Sequence, residues 1–539
     1  MSHLASGEVE ALTTTAPYVA DPLALYELLT HHGELKNTVL LESAEIDSKA
    51  DLKSLLLLDA ALKISCSGRQ VTLTLLSDNG RNALSTILSA LPDSVAVIET
   101  DNGAVLNFPE VGEILDEEER LKALSPLEAL RAAVNHLKTR NSNDDAIFLA
   151  GTFAYDLIAS FEPLPDVADG ENNCPDYLFY LSETLIVIDH QTQQSEITGC
   201  VFGGDGASEQ FYLKTRRIES LKEQLTKFNP SQLSSKVAES AAIDVTTDTS
   251  DEQFCQQVET LKDNIHCGDI FQVVPSRSFH IACPDSLFAY RELKASNPSP
   301  YMFYVNDEEF VLFGASPESA LKYEQQDRQV EVYPIAGTRR RGFNPDGSID
   351  ADLDSRMELE LRLDKKELAE HIMLVDLARN DIARIAKPAS RHVAELLKVD
   401  RYSHVMHLVS RVVGELREDM DALHAYQACM NMGTLVGAPK IRAAQLIRDT
   451  EGKRRGSYGG AVGYINGVGD MNTCIVIRSA FVKNGKATIQ AGAGVVFDSQ
   501  PQAEADETRN KAQAVISAIV SANKQLNQAA KQAEGAAHE

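Results

Sequence analysis

The sequence predicts an α+β fold: a large layered body of mostly antiparallel sheets with helices on the outside. Three observations predict it. Apolar strand-like runs come as neighbours, interleaved with long helical stretches rather than alternating with them one for one. The tripeptide Lys483-Asn484-Gly485 joins "NTCIVIRSAFV" to "KATIQAGAGVV" as a hairpin signal. Helical periodicity runs through the long stretch "SRMELELRLDKKELAEHIMLVDLARNDIARI".

Taken in order, "QVTLTLL" (Gln70 to Leu76) alternates like a strand, and "SPLEALRAAVNHLKTR" has a Ser-Pro start and helical periodicity. "DYLFYLSETLIVIDH" (Asp176 to His190) reads as a buried strand pair. Between Asn229 and Ser250 the chain turns to Ser, Thr and Ala with little apolar patterning, a linker signature. Three regions follow: 1–230, 251–522 and a polar tail 523–539 expected to fray. In the second region "RYSHVMHLVSRVVGEL" reads as a strand with His404 and His407 on opposite faces, and "GSYGGAVGYI" as another strand.

The bulk numbers bound the function. A chain of 539 residues buries a large core, and its net charge of −28 argues against broad contact with nucleic acid or an anionic membrane. Eight scattered cysteines without a CxxC pair read as free thiols in a reducing compartment. The N-terminal residues lack a basic and apolar leader, and the leucine run Leu55 to Leu58 is too short to span a bilayer, so the expectation is a soluble, cytoplasmic protein. There is no tryptophan.

Chemistry concentrates in the second half. "VYPIAGTRRRG" (Val332 to Gly342) reads as a strand emptying into a small turn beside three arginines. Glu367 and Glu370 share a helix face, as do Glu504 and Glu507 on a later helix. Four such carboxylates either converge on a hard cation or are solvated, with Glu507 paired to Lys511. In strand alternation Arg478 lies in an apolar row, so its charge needs either a substrate carboxylate or a structural acid. Glycines in "YGGAVGY" and "AGAG" suggest close backbone approach, and Gly494 and the Gly337-Thr338 turn are candidates to offer bare N–H groups to an anion. His407 and Glu318 are acid and base candidates.

Seven motifs in order, "PIAGTRRRG", "DKKELAEHIMLVDLARND", "SHVMHLVS", "GTLVGAPK", "GSYGGAVGY", "IVIRSA" and "AGAGVVFDSQPQAEADET", resemble those of the chorismate-utilising enzymes. Within that family the resemblance is to the large subunits of anthranilate synthase, which make anthranilate and pyruvate from chorismate and ammonia. It extends into the first half through "LLESAEID" (Leu40 to Asp47), similar to a tryptophan-binding motif. The resemblance implies that Glu370 and Glu507 bind Mg2+, with Glu367 and Glu504 in its outer shell, and that the metal clamps the ring carboxylate. It implies that Arg478 and Tyr458 hold the enolpyruvyl carboxylate and that Gly337, Thr338, Gly492, Ala493 and Gly494 line the ring. His407, near Thr434, matches the catalytic histidine, and Glu318 the acid that expels the ring hydroxyl. Ser43, Lys53, Pro300, Tyr301 and Met302 match the pocket where L-tryptophan acts as feedback inhibitor.

The related aminodeoxychorismate synthases commonly carry a nucleophilic lysine where this chain has Ala336; a methyl group cannot attack, which favours direct addition of ammonia. No nucleophile elbow of a glutaminase is present, so the resemblance implies a separate glutamine amidotransferase subunit, commonly in a heterotetramer of two large and two small subunits. The rival expectations are an aminodeoxychorismate or isochorismate synthase, or a non-catalytic tryptophan-sensing subunit.

Overall fold

Two long strands, Lys53–Ser67 and Tyr177–Asp189, pair antiparallel along most of their length and organise a 23-stranded sheet. The computed structural model describes residues 4–43, 52–110, 112, 116–141, 143–230, 242–402 and 405–537. Because the pair outruns its neighbours, different strands join its two ends, and strand twist turns those ends apart. From one end the sheet continues through Thr38–Glu42, Tyr301–Asn306, Val311–Ser316, Ser479–Lys483, Lys486–Gly492 and Ser276–Ala282. From the other it continues through Phe148–Phe153, Ala461–Asn466, Met471–Ile475, Ser319–Glu324, Gln329–Val332 and Val405–Glu415. Nearly all of these ladders are antiparallel, as expected of an α+β layered body. Strands from either side of the expected linker share the sheet, Thr38–Glu42 beside Tyr301–Asn306 and Phe148–Phe153 beside Ala461–Asn466.

Several local expectations change. "DYLFYLSETLIVIDH" forms one 13-residue strand, not a pair. Ser182, Glu183 and Thr184 are buried in mid-strand opposite an irregular stretch of ladder, and Glu183 is paired with Lys214 at 2.5 Å. The long helical stretch is two helices, Ala351–Leu363 and Lys365–Ala383, divided at Asp364, whose carboxylate caps the second by accepting from the Lys366 and Glu367 amides. Residues 231–241 of the expected linker lie outside the described residues. Its end is ordered: Thr246–Thr247 pairs with Phe279 and His280, and Ser250 caps helix Asp251–His266 in a capping box.

The tail expected to fray continues the last helix, Pro501–Ala537. Polar as it is, it is rich in good helix formers, buries Leu526, and anchors Asn523 to the Ala242 and Ala282 carbonyls. The Lys483–Lys486 hairpin forms as read, with Asn484 and Gly485 both at positive φ. Among the described residues no helix is long and apolar enough to cross a membrane, and all eight cysteines are free.

Two crossovers join the wings of the sheet. Val311–Ser316 passes into Ser319–Glu324 through Pro317 and Glu318, and Met471–Ile475 passes into Ser479–Lys483 through Val476, Ile477 and Arg478. They lie side by side, tied by Ala315 N–H to Arg478 C=O (3.1 Å) and Ile475 N–H to Glu318 C=O (3.0 Å). The site is built on this seam.

Candidate active site

Glu318 and Arg478 are set by the two crossovers. The Glu318 backbone is bracketed by the Ser316 hydroxyl, and its carboxylate accepts from Thr434 Oγ1 at 3.2 Å. Burial raises its pKa, against the opposing influence of Arg478, Lys511 and Thr434. Arg478 does not sit in a strand row as alternation suggests: the strand breaks at Val476, and Arg478 takes a left-handed φ of 47° between the two pieces. Its guanidinium makes no hydrogen bond or ion pair among the described residues. Burial lowers its pKa, opposed by the charges of Glu318 and Tyr402. A half-buried arginine with no hydrogen-bond or ion-pair partner among the described residues is a receptor for an anion.

The "PIAGTRRRG" segment is a strand, Ile335–Arg340, and not a turn. It pairs with the histidine strand Val405–Glu415 through a bulge between Ala336 and Thr338. Gly337 has φ +80°, a conformation strained for any side chain, and a Cβ there would also crowd Leu361 Cδ1 at 3.1 Å and Glu367 Oε2 at 3.3 Å. The bulge aims the Gly337 carbonyl and the Thr338 hydroxyl at His407 Nδ1, at 3.3 and 3.0 Å. Burial, aided by the positive charge of Arg478, lowers the His407 pKa to about 4. The imidazole is therefore neutral at pH 7. A carbonyl only accepts, so Nδ1 carries the proton and Nε2, buried and without a partner, holds a lone pair. The ring of Tyr402 packs edge-on at 5.3 Å. His404 lies outside the described residues. Two of the three arginines are spent internally, Arg339 on Asp364 (2.6 Å) and Glu367 (3.2 Å) and Arg341 on Asp354 (2.7 Å), while Arg340 is exposed.

Tyr458 and the glycine run 492–494 form the opposite wall. Tyr458 is buried just before strand Ala461–Asn466, and Lys486–Gly492 ends where the glycines begin. A Cβ on Gly492 would sit 2.8 Å from Pro275 O and 3.0 Å from Tyr458 Oη; one on Gly494 would sit 2.9 Å from Gln272 Nε2. Close backbone approach requires the glycine at 492, whereas at 494 the neighbour is the movable end of the Gln272 side chain. The Ala493 amide is taken by Pro275 O at 3.1 Å.

Helices Lys365–Ala383 and Pro501–Ala537 bring the four glutamates together. Burial raises the Glu370 pKa, and Glu367, Glu504 and Glu507 add to it against Lys366. Burial also raises that of Glu504, with Glu507 adding. Lys366 lies 3.8 Å from Glu370, and Lys511 pairs with Glu507 at 2.7 Å. Among the described residues no three acidic, His or Cys side chains gather into a closed metal centre. An all-oxygen set under mutual repulsion fits a hard cation that takes few protein ligands and keeps waters.

The remaining candidates also meet. Ser43 N–H donates to Lys53 C=O at 3.1 Å, Glu42 stands opposite Met302 in the ladder, and Met302 is buried while Tyr301 is half-buried. Ser43, Lys53, Pro300, Tyr301 and Met302 thus lie at one end of this three-strand ladder; Ala44 to Asp47 of the motif lie outside the described residues.

Two side chains of the site escaped sequence reasoning. Lys511 was visible only as an i+4 partner of Glu507, yet its Nζ also donates to Gly492 C=O at 3.1 Å. Tyr402 gave no sequence signal beyond standing near the histidine motif.

The chorismate binding enzyme family matches residues 81–517. Anthranilate synthase component 1 of Vibrio parahaemolyticus is 57% identical over 519 residues, covering 96% of this chain and 94% of that one. The same component from Escherichia coli (strain K12) is 56% identical over 515 residues, covering 96% and 98%. Among solved structures, anthranilate synthase component I from Streptococcus pneumoniae TIGR4 superposes with a TM-score of 0.68 at 28% identity, over 88% of this chain and 94% of that one. The menaquinone-specific isochorismate synthase of Escherichia coli shares the fold at 15% identity, with a TM-score of 0.63 over 96% of each chain. A family match across most of the sequence, with relatives above half identity along almost all of it, places this chain in the chorismate binding enzyme family, among its anthranilate synthase component 1 members.

Proposed function

We propose that the chain converts chorismate and ammonia to anthranilate and pyruvate, the ammonia coming from glutamine through a partner amidotransferase subunit. The observation that carries this reading is a half-buried Arg478 and a neutral His407 Nε2, neither with a hydrogen-bond partner among the described residues, beside a carboxyl of raised proton affinity.

Arg478, with Tyr458, receives the enolpyruvyl carboxylate, while the backbone at Gly337, Thr338 and Gly492 to Gly494 lines the ring. Glu370 and Glu507 would hold Mg2+, with Glu367 and Glu504 behind them; bound there, the cation neutralises and orients the ring carboxylate. Glu318, steadied by Thr434, gives its proton to the departing 4-hydroxyl as ammonia adds to the ring, and water leaves. His407 Nε2 then takes the proton from the carbon that bears the new amine. Those electrons aromatise the ring as the C–O bond to the enolpyruvyl group breaks, and the released enolate takes a proton on carbon to become pyruvate. Ala336, beside the bulge, offers no nucleophile, which supports free ammonia as the attacking group.

The cluster of Ser43, Lys53, Pro300, Tyr301 and Met302 supports feedback inhibition by tryptophan, and reciprocity then requires chorismate to weaken tryptophan binding. A heterotetramer of two large and two small subunits in the cytoplasm completes the reading. The test is to mix the chain with chorismate, Mg2+ and an ammonium salt at mildly alkaline pH and follow anthranilate fluorescence with and without tryptophan. Tryptophan-suppressed anthranilate supports the proposal. Conversion to aminodeoxychorismate or isochorismate overturns it in favour of a sister reaction, and metal-independent silence with the partner present favours a tryptophan-sensing subunit.

A further inference from the structure

Arg455 is among the largest fully buried side chains in the molecule, and nothing in the reaction above uses it. It forms a bidentate pair with Glu451, Nε to Oε2 at 3.0 Å and Nη2 to Oε1 at 2.5 Å, with both side chains about 2% exposed or less. Two further N–H groups go to main-chain carbonyls, Nη1 to Leu435 (2.8 Å) and Nη2 to Val274 (2.6 Å). The guanidinium lies between two aromatic rings, 4.6 Å from the centroid of Tyr155 and 5.6 Å from that of Tyr458. Burying an ion pair this deeply is seldom a net source of stability compared with apolar packing, so its retention asks for another reason.

The contacts of Glu451 supply one. Its Oε1 also accepts from the Ser276 amide and hydroxyl, each at 2.8 Å, and Ser276 stands opposite Gly492 in the ladder Ser276–Ala282 with Lys486–Gly492. Gln490 Nε2 donates to the Ser276 hydroxyl at 2.8 Å on the same strand. One half of the pair therefore holds the Tyr458 ring, and the other holds the strand that ends at Gly492. Tyr458 Oη faces Gly492, close enough that a Cβ there would come within 3.0 Å.

We propose that Arg455 and Glu451 are a positioning unit that sets the gap between the Tyr458 hydroxyl and the Gly492 backbone, and thereby the affinity for the substrate carboxylate; the inference rests on the chorismate reading of the site. A lysine cannot replace the arginine here. It has no planar fork to serve a carboxylate and two carbonyls at once, and it stacks less well between rings.

The test is a double-mutant cycle in the full chain with Arg455→Lys and Tyr458→Phe, reading chorismate Kd by calorimetry, KM and kcat for chorismate, KM for ammonia, and Tm. The expected result is a rise of about 10-fold in chorismate Kd and KM for Arg455→Lys, with kcat and the ammonia KM within about 2-fold. In the Tyr458→Phe background the same change adds less than about 2-fold, because the group it positions is gone. Equal penalties in both backgrounds, or a fall in kcat with Kd unchanged, overturn the proposal. Should Arg455→Lys be too unstable to purify, Glu451→Gln, isosteric and still an acceptor for Ser276, enters the same cycle, and the same results support or overturn the proposal. Chorismate Kd does not depend on the product formed, so a wild type that binds chorismate but makes no anthranilate overturns the reaction proposed above and leaves this test standing.

Discussion

His407 donates through Nδ1 to the Gly337 carbonyl at 3.3 Å, and this one bond decides which nitrogen keeps its lone pair. With Nδ1 so engaged, Nε2 carries the lone pair of a base whose pKa is held near 4. Burial thus trades basicity for a fully deprotonated state at neutral pH. The native pKa lies below the ordinary value near 6.5, so the unfolded chain binds a proton first as pH falls. Stability tied to this group is complete above about 6.5 and is lost progressively down to about 4, to the extent of about 3 kcal/mol. His407→Asn is expected to lower anthranilate formation by about 10²- to 10⁴-fold and to flatten the decline of Tm between pH 6.5 and pH 4. Thermal melts of both proteins across that range, with rates at pH 8, check both statements.

Glu318 titrates in the opposite sense. Its native pKa lies above the ordinary carboxyl value, so the folded protein binds the extra proton, and stability falls as pH rises through that shifted pKa. Glu318→Gln keeps an acceptor for Thr434 and removes the cost. The variant is expected to lose about 10²- to 10⁴-fold in kcat, bind chorismate within a few-fold of wild type, and gain Tm over wild type by more at pH 8 than at pH 5. A Tm difference that shrinks with rising pH would contradict the assignment.

Among the described residues Arg478 makes no hydrogen bond or ion pair, and its backbone is left-handed, so it is a cost to the folded state that a bound anion would offset. Arg478→Gln is expected to leave Tm unchanged or higher while raising the chorismate KM by at least about 10-fold. A loss of several degrees would mean that the guanidinium serves a structural pair instead.

The two glutamate helices predict a cation-dependent melt. Mg2+ binding to the native state alone raises Tm with concentration. Glu370→Gln removes one of the repelling charges, so it is expected to raise Tm without Mg2+ and to abolish most of the Mg2+-induced increment. Calorimetric melts over a Mg2+ series read both effects in the absence of turnover.

Ser43 ends its strand beside Lys53, at the end of the ladder that carries Tyr301 and Met302. A long cation there fills the pocket that tryptophan is proposed to enter. Ser43→Arg is expected to raise the tryptophan concentration for half inhibition by about 10-fold or more with kcat within about 2-fold. Equal inhibition of wild type and variant would sink the pocket.

How much of this the sequence determined by itself follows from the range of the forces involved. The Asn484-Gly485 hairpin and the i, i+3 glutamate pairs depend on neighbours a few residues away, and they are as read. The resemblance, being ordered along the chain, was legible as well. Tertiary structure alone decided the rest. "DYLFYLSETLIVIDH" reads as a strand pair until distant partners, such as Asn79 for Glu183 across 104 residues, bury its polar centre within one strand. "PIAGT" looks like a turn until the histidine strand pairs with it and makes a bulge. Arg478 follows alternation until its strand is torn between the two wings of the sheet. Pairing across long sequence distances fixes φ, ψ and burial only when the partner arrives, and the shifts that leave His407 neutral and raise the proton affinity of Glu318 are products of that burial.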